Sequence, residues 1–335
     1  MLKKILATAL AATIGLSATN EVNIYSHRHY DTDKQLYKMF EKDTGVKVNI
    51  VTAKADELIK KLELEGKNSP ADILITSDAA RLHLANEKGL LQKIDSNILN
   101  TTVPEKLRQK DGYWFALTKR ARVIVYNKDK VKPSELSTYE ALTNPEFKGK
   151  VLIRKSSNIY NQSLLASMIA NDGEVKAKQW ATGMVNNFAR TPKGSDRDQM
   201  KAIAAGIGDV AVVNTYYVGK LLNSKKTAEV MVGEKMGVFF PNQNGKGTHI
   251  NISGAGVTKY SKNKENAVKL LEFLVSPKAQ SMFAEANYEY PVNKNVKPSA
   301  LLTSWGTFKE DSLDLEQLGI HNAQAVKIFN EVNWK

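Results

Sequence analysis

A two-lobed α/β fold is predicted by three observations on this sequence. The chain has 335 residues, too many for one small core, at 42% hydrophobic and 25% charged. Short apolar strands alternate with amphipathic helices from residue 20 onward. The same rhythm restarts near residue 150, after a long strand-like stretch. This composition excludes a disordered or collagen-like chain.

The first set reads EVNIYS and a helix from Asp33 to Lys42, VKVNIV and a helix from Asp56 to Glu65, then ADILIT and a helix from Ala79 to Lys88. Their order predicts a parallel sheet. After GYWFALTKRARVIVYN (112–127) come KVLI (150–153), a helix around Ser163 to Ala170, a helix near Val175 to Asn187 and the strand DVAVV (209–213). HINISGAGVT (249–258) and the helix from Lys264 to Leu274, ended by Ser276-Pro277, are predicted to return to the first lobe. With no Pro/Ser linker between lobes, the crossings fall near residues 115–125 and 240–250, and a double crossing is a hinge. The expected division is 20–117 with 245–290 in the N-terminal lobe, and 118–244 with 291–335 in the C-terminal lobe.

The N-terminus precedes this pattern. MLKK followed by the apolar run Ile5 to Leu16 has the form of a secretory signal over residues 1–18, with cleavage near Ser17 to Thr19. The run is shorter than the roughly 20 residues of a spanning helix. Its removal takes Lys3 and Lys4 and lowers the formal charge from +13 to +11. The lysines are scattered, with no basic motif interleaved with aromatics, so a solvated surface is expected and nucleic acid is not. Cysteine is absent, which excludes disulfides, thiolate metal sites and a cysteine nucleophile, and argues against a lipoprotein anchor.

The chemistry concentrates at strand-to-helix junctions. Thr32-Asp33-Lys34-Gln35 fits a capping box, which leaves His29 and Tyr30 just after the first strand. Tyr160 lies about one turn into a helix that Ser157 or Asn158 can cap. Tyr216 and Tyr217 directly follow DVAVV, where Asn214 or Thr215 can cap. Singly, each tyrosine is explained by packing, and the 216–217 pair by one ring in the core and one on the surface. The recurrence argues otherwise, because strand carboxyl ends face the cleft in such folds. His27 ranks below His29 on this criterion, and His83, His249 and His321 read as structural.

Four phenols and an imidazole select a cation. A phenol has a pKa of about 10 and ligates as an anion only beside a strongly polarising ion. Zn(II) prefers imidazole and thiolate, and Ca(II) and Mg(II) prefer carboxylate and water, so hard Fe(III) is the match. Fe(III) with four phenolates carries a net charge of −1, which calls for a nearby cation. Arg28, Arg120 and Arg122 are the candidates.

With these residues in place, the chain resembles the ferric-iron-binding periplasmic proteins of ABC uptake systems, in the extracellular solute-binding family. NIYSHRHYDTD (23–33), SPADILITSDAARLHLANEKGLL (69–91), SSNIYNQSLLASMIA (156–170), GDVAVVNTYYVGK (208–220) and NISGAGVTKYSKNKENAVKLLEFLVSPKAQ (251–280) carry the likeness. It implies a periplasmic binding protein fold with the cleft between lobes, and Fe(III) as transported ligand. It also implies that Tyr216 and Tyr217 match the paired iron tyrosines, Tyr160 the further tyrosine of the tyrosine-rich subgroup, and His29-Tyr30 the N-terminal pair. Arg120 matches an arginine lying behind them. Where better-known relatives carry an acid after the third strand, this sequence has ITSDAA. Ser77 aligns there, Asp78 reads as a first-turn helix residue, and no obligatory anion is expected. The resemblance further implies an exported monomer, no enzyme, that delivers iron to an inner-membrane ABC permease and its ATPase. The rival readings are a Tyr/His iron oxygenase, a binding protein for a polyamine, thiamine-like or oxyanion ligand, and a surface adhesin.

Overall fold

The computed structural model describes residues 20–335, so the expected signal segment lies outside the described residues. Among the described residues, nine strands form one curled, mixed array. They are β1 (Glu21–Ser26), β2 (Lys47–Thr52), β3 (Ile73–Ser77), β4 (Leu91–Gln92), β5 (Phe115–Asn127), β6 (Val151–Leu152), β7 (Val210–Asn214), β8 (Met236–Phe239) and β9 (Ile250–Thr258).

The first sheet runs β2-β1-β3-β9-β5 and the second β5-β7-β6, with β4 beside β9 and β8 beside β5. Strand β5 belongs to both. Its residues from Phe115 to Ala121 pair with β9, and those from Arg122 to Asn127 pair with β7 and β8. The chain returns between sheets through the segment joining β8 to β9. The expectation of a parallel sheet holds for β1 with β2 and β3, and for β6 with β7. It fails at β9, which lies antiparallel between β3 and β5, because a strand returning from the other sheet enters from the opposite end.

Each sheet has its own core. Around the first, Ile24, Leu74, Phe115 and Ile252 meet Leu36, Phe40 and Leu270 of the covering helices. Along β5, Ile124 faces a second core with Val212, Leu164, Trp180 and Phe329, while Val123 and Val125 face a third with Val213, Ile203 and Leu221. Both faces of this sheet are covered, so its strands read as unbroken apolar runs. The tail, assigned from sequence to the second lobe, is shared. Val292, Leu315 and Leu318 pack in the first core, whereas Ala325, Ile328 and Trp334 pack in the second. The apolar pattern of the tail suits either sheet, so only contact decides.

The first helix spans Asp31–Thr44, two residues earlier than its sequence suggests. Tyr30 is the N-cap, and its N–H donates to the Asp33 carboxylate at 3.4 Å. Asp33 therefore sits at the third helical position, where a carboxylate reaches back. The helices bearing the other tyrosines are Ile159–Asp172 and Thr215–Leu222.

Candidate metal centre

All five sequence-predicted residues, His29, Tyr30, Tyr160, Tyr216 and Tyr217, line one cavity of about 240 Å³. Each lies at the start of a helix. Tyr30 caps the helix that follows β1. Tyr160 follows Asn158, whose side-chain oxygen accepts from the Tyr160 N–H at 3.2 Å. Tyr216 and Tyr217 open the helix that follows β7 without a loop, with Asn214 at the N-cap position. Asn214 makes no side-chain cap there, since its amide oxygen instead accepts from Arg122 Nη1 at 3.1 Å.

The rings crowd together. The Tyr160 and Tyr216 hydroxyls share a hydrogen bond at 3.3 Å, and the Tyr216 and Tyr217 rings lie 4.2 Å apart, tilted by 32°. Both residues of the pair thus line the cavity, so neither ring is left to the outer surface. His29 and Tyr30 rings are 5.3 Å apart. Burial foremost, reinforced by neighbouring phenols, holds Tyr216 and Tyr217 well above the ordinary phenol range. Burial and then Glu289 do the same to Tyr30.

The surrounding cations sort by pairing. Arg28 is buried and bonded to Asp33 and Glu289, both at 3.0 Å, so its charge is spent. Arg122, weighed above as a countercharge, is likewise paired, with Asp196 at 2.9 Å. Arg120 is the exception. It is 1% exposed, reaches Ser253 Oγ at 3.2 Å through Nη1, and its Nε and Nη2 have no protein partner. Its Cζ lies 5.5 Å from the centroid of the Tyr160 ring. A buried guanidinium with unsatisfied N–H groups beside phenols suits negative charge on those phenols.

Other polar residues lie in or beside the cavity. Glu289 lines it while accepting from Arg28 and from the Thr118 hydroxyl at 2.9 Å. Ser77, where the acid of better-known relatives aligns, is hydrogen-bonded to His27 Nδ1 at 2.8 Å. Asp78 is not a helix residue but the N-cap, at φ 91°, accepting from the Ser163 hydroxyl at 2.7 Å and from Asn251 at 2.9 Å. Lys220 places Nζ 3.2 Å from the centroid of the Tyr30 ring. Burial, then Arg28 and Arg197, lowers its ammonium to about 8, against an opposing pull from Glu289. Its spacing four residues after Tyr216 was a readable signal of a shared helix face. Glu289 carried none. His83, His249 and His321 lie outside the cavity.

Among the described residues no group of three or more His, Asp or Glu side chains can hold a metal. The cavity lining offers the phenol oxygens of Tyr30, Tyr160, Tyr216 and Tyr217 and the His29 imidazole, donors of a kind suited to a hard trivalent ion.

Two sheets joined by crossing strands, with a polar cavity at their strand ends, define a binding protein of the two-lobed kind. Residues 35–310 match the bacterial extracellular solute-binding protein family, and the chain belongs to it. It is 54% identical over 315 residues to iron uptake protein A1 of Synechocystis, covering 94% of this chain and 88% of that one. A Trichodesmium protein solved in complex with iron and citrate superposes with a TM-score of 0.91 at 53% identity, covering 94% of this chain and all of the other. The ferric binding protein from Campylobacter jejuni superposes at 0.90 with 48% identity, again over 94% and 100%.

Proposed function

We propose that the chain is the periplasmic substrate-binding component of an ABC-type Fe(III) uptake system. It holds ferric iron through Tyr30, Tyr160, Tyr216 and Tyr217 with His29, and delivers it to an inner-membrane permease driven by an ATPase. The observation that carries this reading is the meeting of four phenols and an imidazole around one cavity, beside the half-satisfied Arg120 guanidinium. The names of the relatives, iron uptake and ferric binding, point the same way.

In this reading His29 and Tyr30 come from the first lobe and the other three tyrosines from the second. Iron bridges the lobes, and binding is coupled to closure about the segments near 115–125 and 240–250. Each phenol loses its proton on ligation, and Arg120 offsets the surplus negative charge. Five protein donors leave one position of an octahedral site, so no turnover is part of the reading. Acid or reduction favours release, because protons compete for the phenolates and Fe(II) polarises them less.

The test is spectroscopic. Ferric iron added to the purified chain should produce a visible phenolate-to-iron band, which Tyr216→Phe and Tyr217→Phe should weaken or abolish while folding survives. A colourless protein that retains an organic solute in the cleft would overturn the reading.

A further inference from the structure

The three phenols on the second-sheet side stand on two helices that do not share a strand junction, so something must set their separation. One buried cluster touches both. Arg122, on β5, donates from Nη2 to the Asn161 side-chain oxygen at 2.8 Å and from Nη1 to that of Asn214 at 3.1 Å. Asn161 follows Tyr160, and Asn214 precedes Tyr216 by two residues. Asp196, fully buried, receives Arg122 Nη1 at 2.9 Å and the Asn214 backbone N–H at 3.1 Å on one oxygen, and Arg154 Nη1 at 2.8 Å on the other. Asn161 closes the ring by donating to the carbonyls of Arg154 at 2.7 Å and Lys155 at 3.1 Å.

From this geometry we infer that Arg122 and Asp196, with Asn161, act as positioning residues that set the spacing between Tyr160 and the Tyr216-Tyr217 pair before iron arrives. The planar guanidinium fixes two acceptors at once, which a single flexible charge does not do. A buried ion pair held by several hydrogen bonds keeps its geometry tightly, because displacing either partner strands a charge. The inference rests on the ferric reading of the same site, and it makes the cluster a spacer, not a source of countercharge.

That distinction gives opposite signs. Asp196→Asn removes a negative charge near the phenols, so a purely electrostatic role predicts tighter iron. A spacing role predicts looser iron, with release to a competing chelator accelerated by about 10- to 100-fold and the visible band shifted. Asn161→Ala leaves the Arg122–Asp196 pair intact and should act in the same direction, which keeps the test open if Asp196→Asn does not fold. Folded variants with wild-type or slower release and an unshifted band would overturn the inference. If the wild-type chain shows no band with ferric iron, the ferric reading fails separately. The spacer is then judged in crystals of the metal-free Asp196→Asn protein. The Tyr160–Tyr216 oxygen separation, 3.3 Å in the native chain, should widen there, and an unchanged value refutes it.

Discussion

Tyr30, Tyr216 and Tyr217 are held above the ordinary phenol range, chiefly by burial, so without metal they are neutral at pH 7. Ferric iron must then expel a proton from each phenol it takes as ligand. Iron binding in weak buffer should release several protons per ion, and apparent affinity should rise with pH, since protons and metal compete for the same oxygens. A pH-stat titration checks both. Arg120 yields a prediction of divided sign. Its Nε and Nη2 have no partner, so Arg120→Met should stabilise the metal-free fold by about 1 to 3 kcal/mol. The same change should speed iron release by about 10- to 100-fold, because the ferric-phenolate cluster loses its countercharge. Melting of the metal-free protein and chelator competition read the two effects separately.

The element that matters most is the helix Thr215–Leu222, which opens with the tyrosine pair and closes with Lys220 beneath Tyr30. It sits close to its neighbour because Gly219 has no side chain. A Cβ built there would lie 2.5 Å from the Tyr288 ring, which itself sits at φ 56° and has little freedom to retreat. Gly219→Ala should therefore destabilise the fold by about 1 to 3 kcal/mol and shift the helix. Denaturant midpoints measure the first effect, and weakened colour with ferric iron the second. The short helix Glu316–Ile320 is a parallel case, lying against both Ala79–Glu87 and Ile159–Asp172, with Gly319 facing His83. In each place a glycine permits contact that its own segment does not foretell.

For the whole molecule, acid sensitivity follows from a buried histidine at the crossing. Burial first, then Arg122 and Arg120, lowers His249 to about 3. The unfolded chain protonates it below its ordinary value of about 6.5, so the unfolded state binds more protons there and stability falls as the pH is lowered. The contribution is intact above pH 6.5, is reduced by about 2 kcal/mol at pH 5, and continues to fall toward pH 3. His27, lowered to about 4 chiefly by burial, acts in the same direction. His249→Gln should flatten part of this acid limb, measured as urea midpoints at pH 7 and pH 5. Closure is the second property at this scale. If iron bridges the lobes, the radius of gyration in solution should fall on adding ferric iron to the wild type, and less so for Tyr30→Phe, which lacks the first-lobe phenol.

Period and junction were legible in the sequence. Alternating apolar runs located β1, β3 and β7, and the residues just after them were His29, Tyr30, Tyr216 and Tyr217, because a strand's carboxyl end dictates where the next side chains emerge. Caps refined the helix starts only to within two residues, since Thr32 and Asp33 satisfy the same local pattern in two registers. The pairing of charges was not legible. Arg28, Arg120 and Arg122 look alike along the chain, yet Glu289, Asp33 and Asp196 neutralise two of them across separations of up to 261 residues, leaving the third with two of its three guanidinium nitrogens unpartnered. The antiparallel entry of β9 and the divided tail were equally hidden. Local pattern determines which groups are present and at which strand ends they stand. Only the packed chain decides which charges are cancelled and how far apart the phenols sit, because burial and Coulomb energy depend on distance in space and not on distance along the backbone.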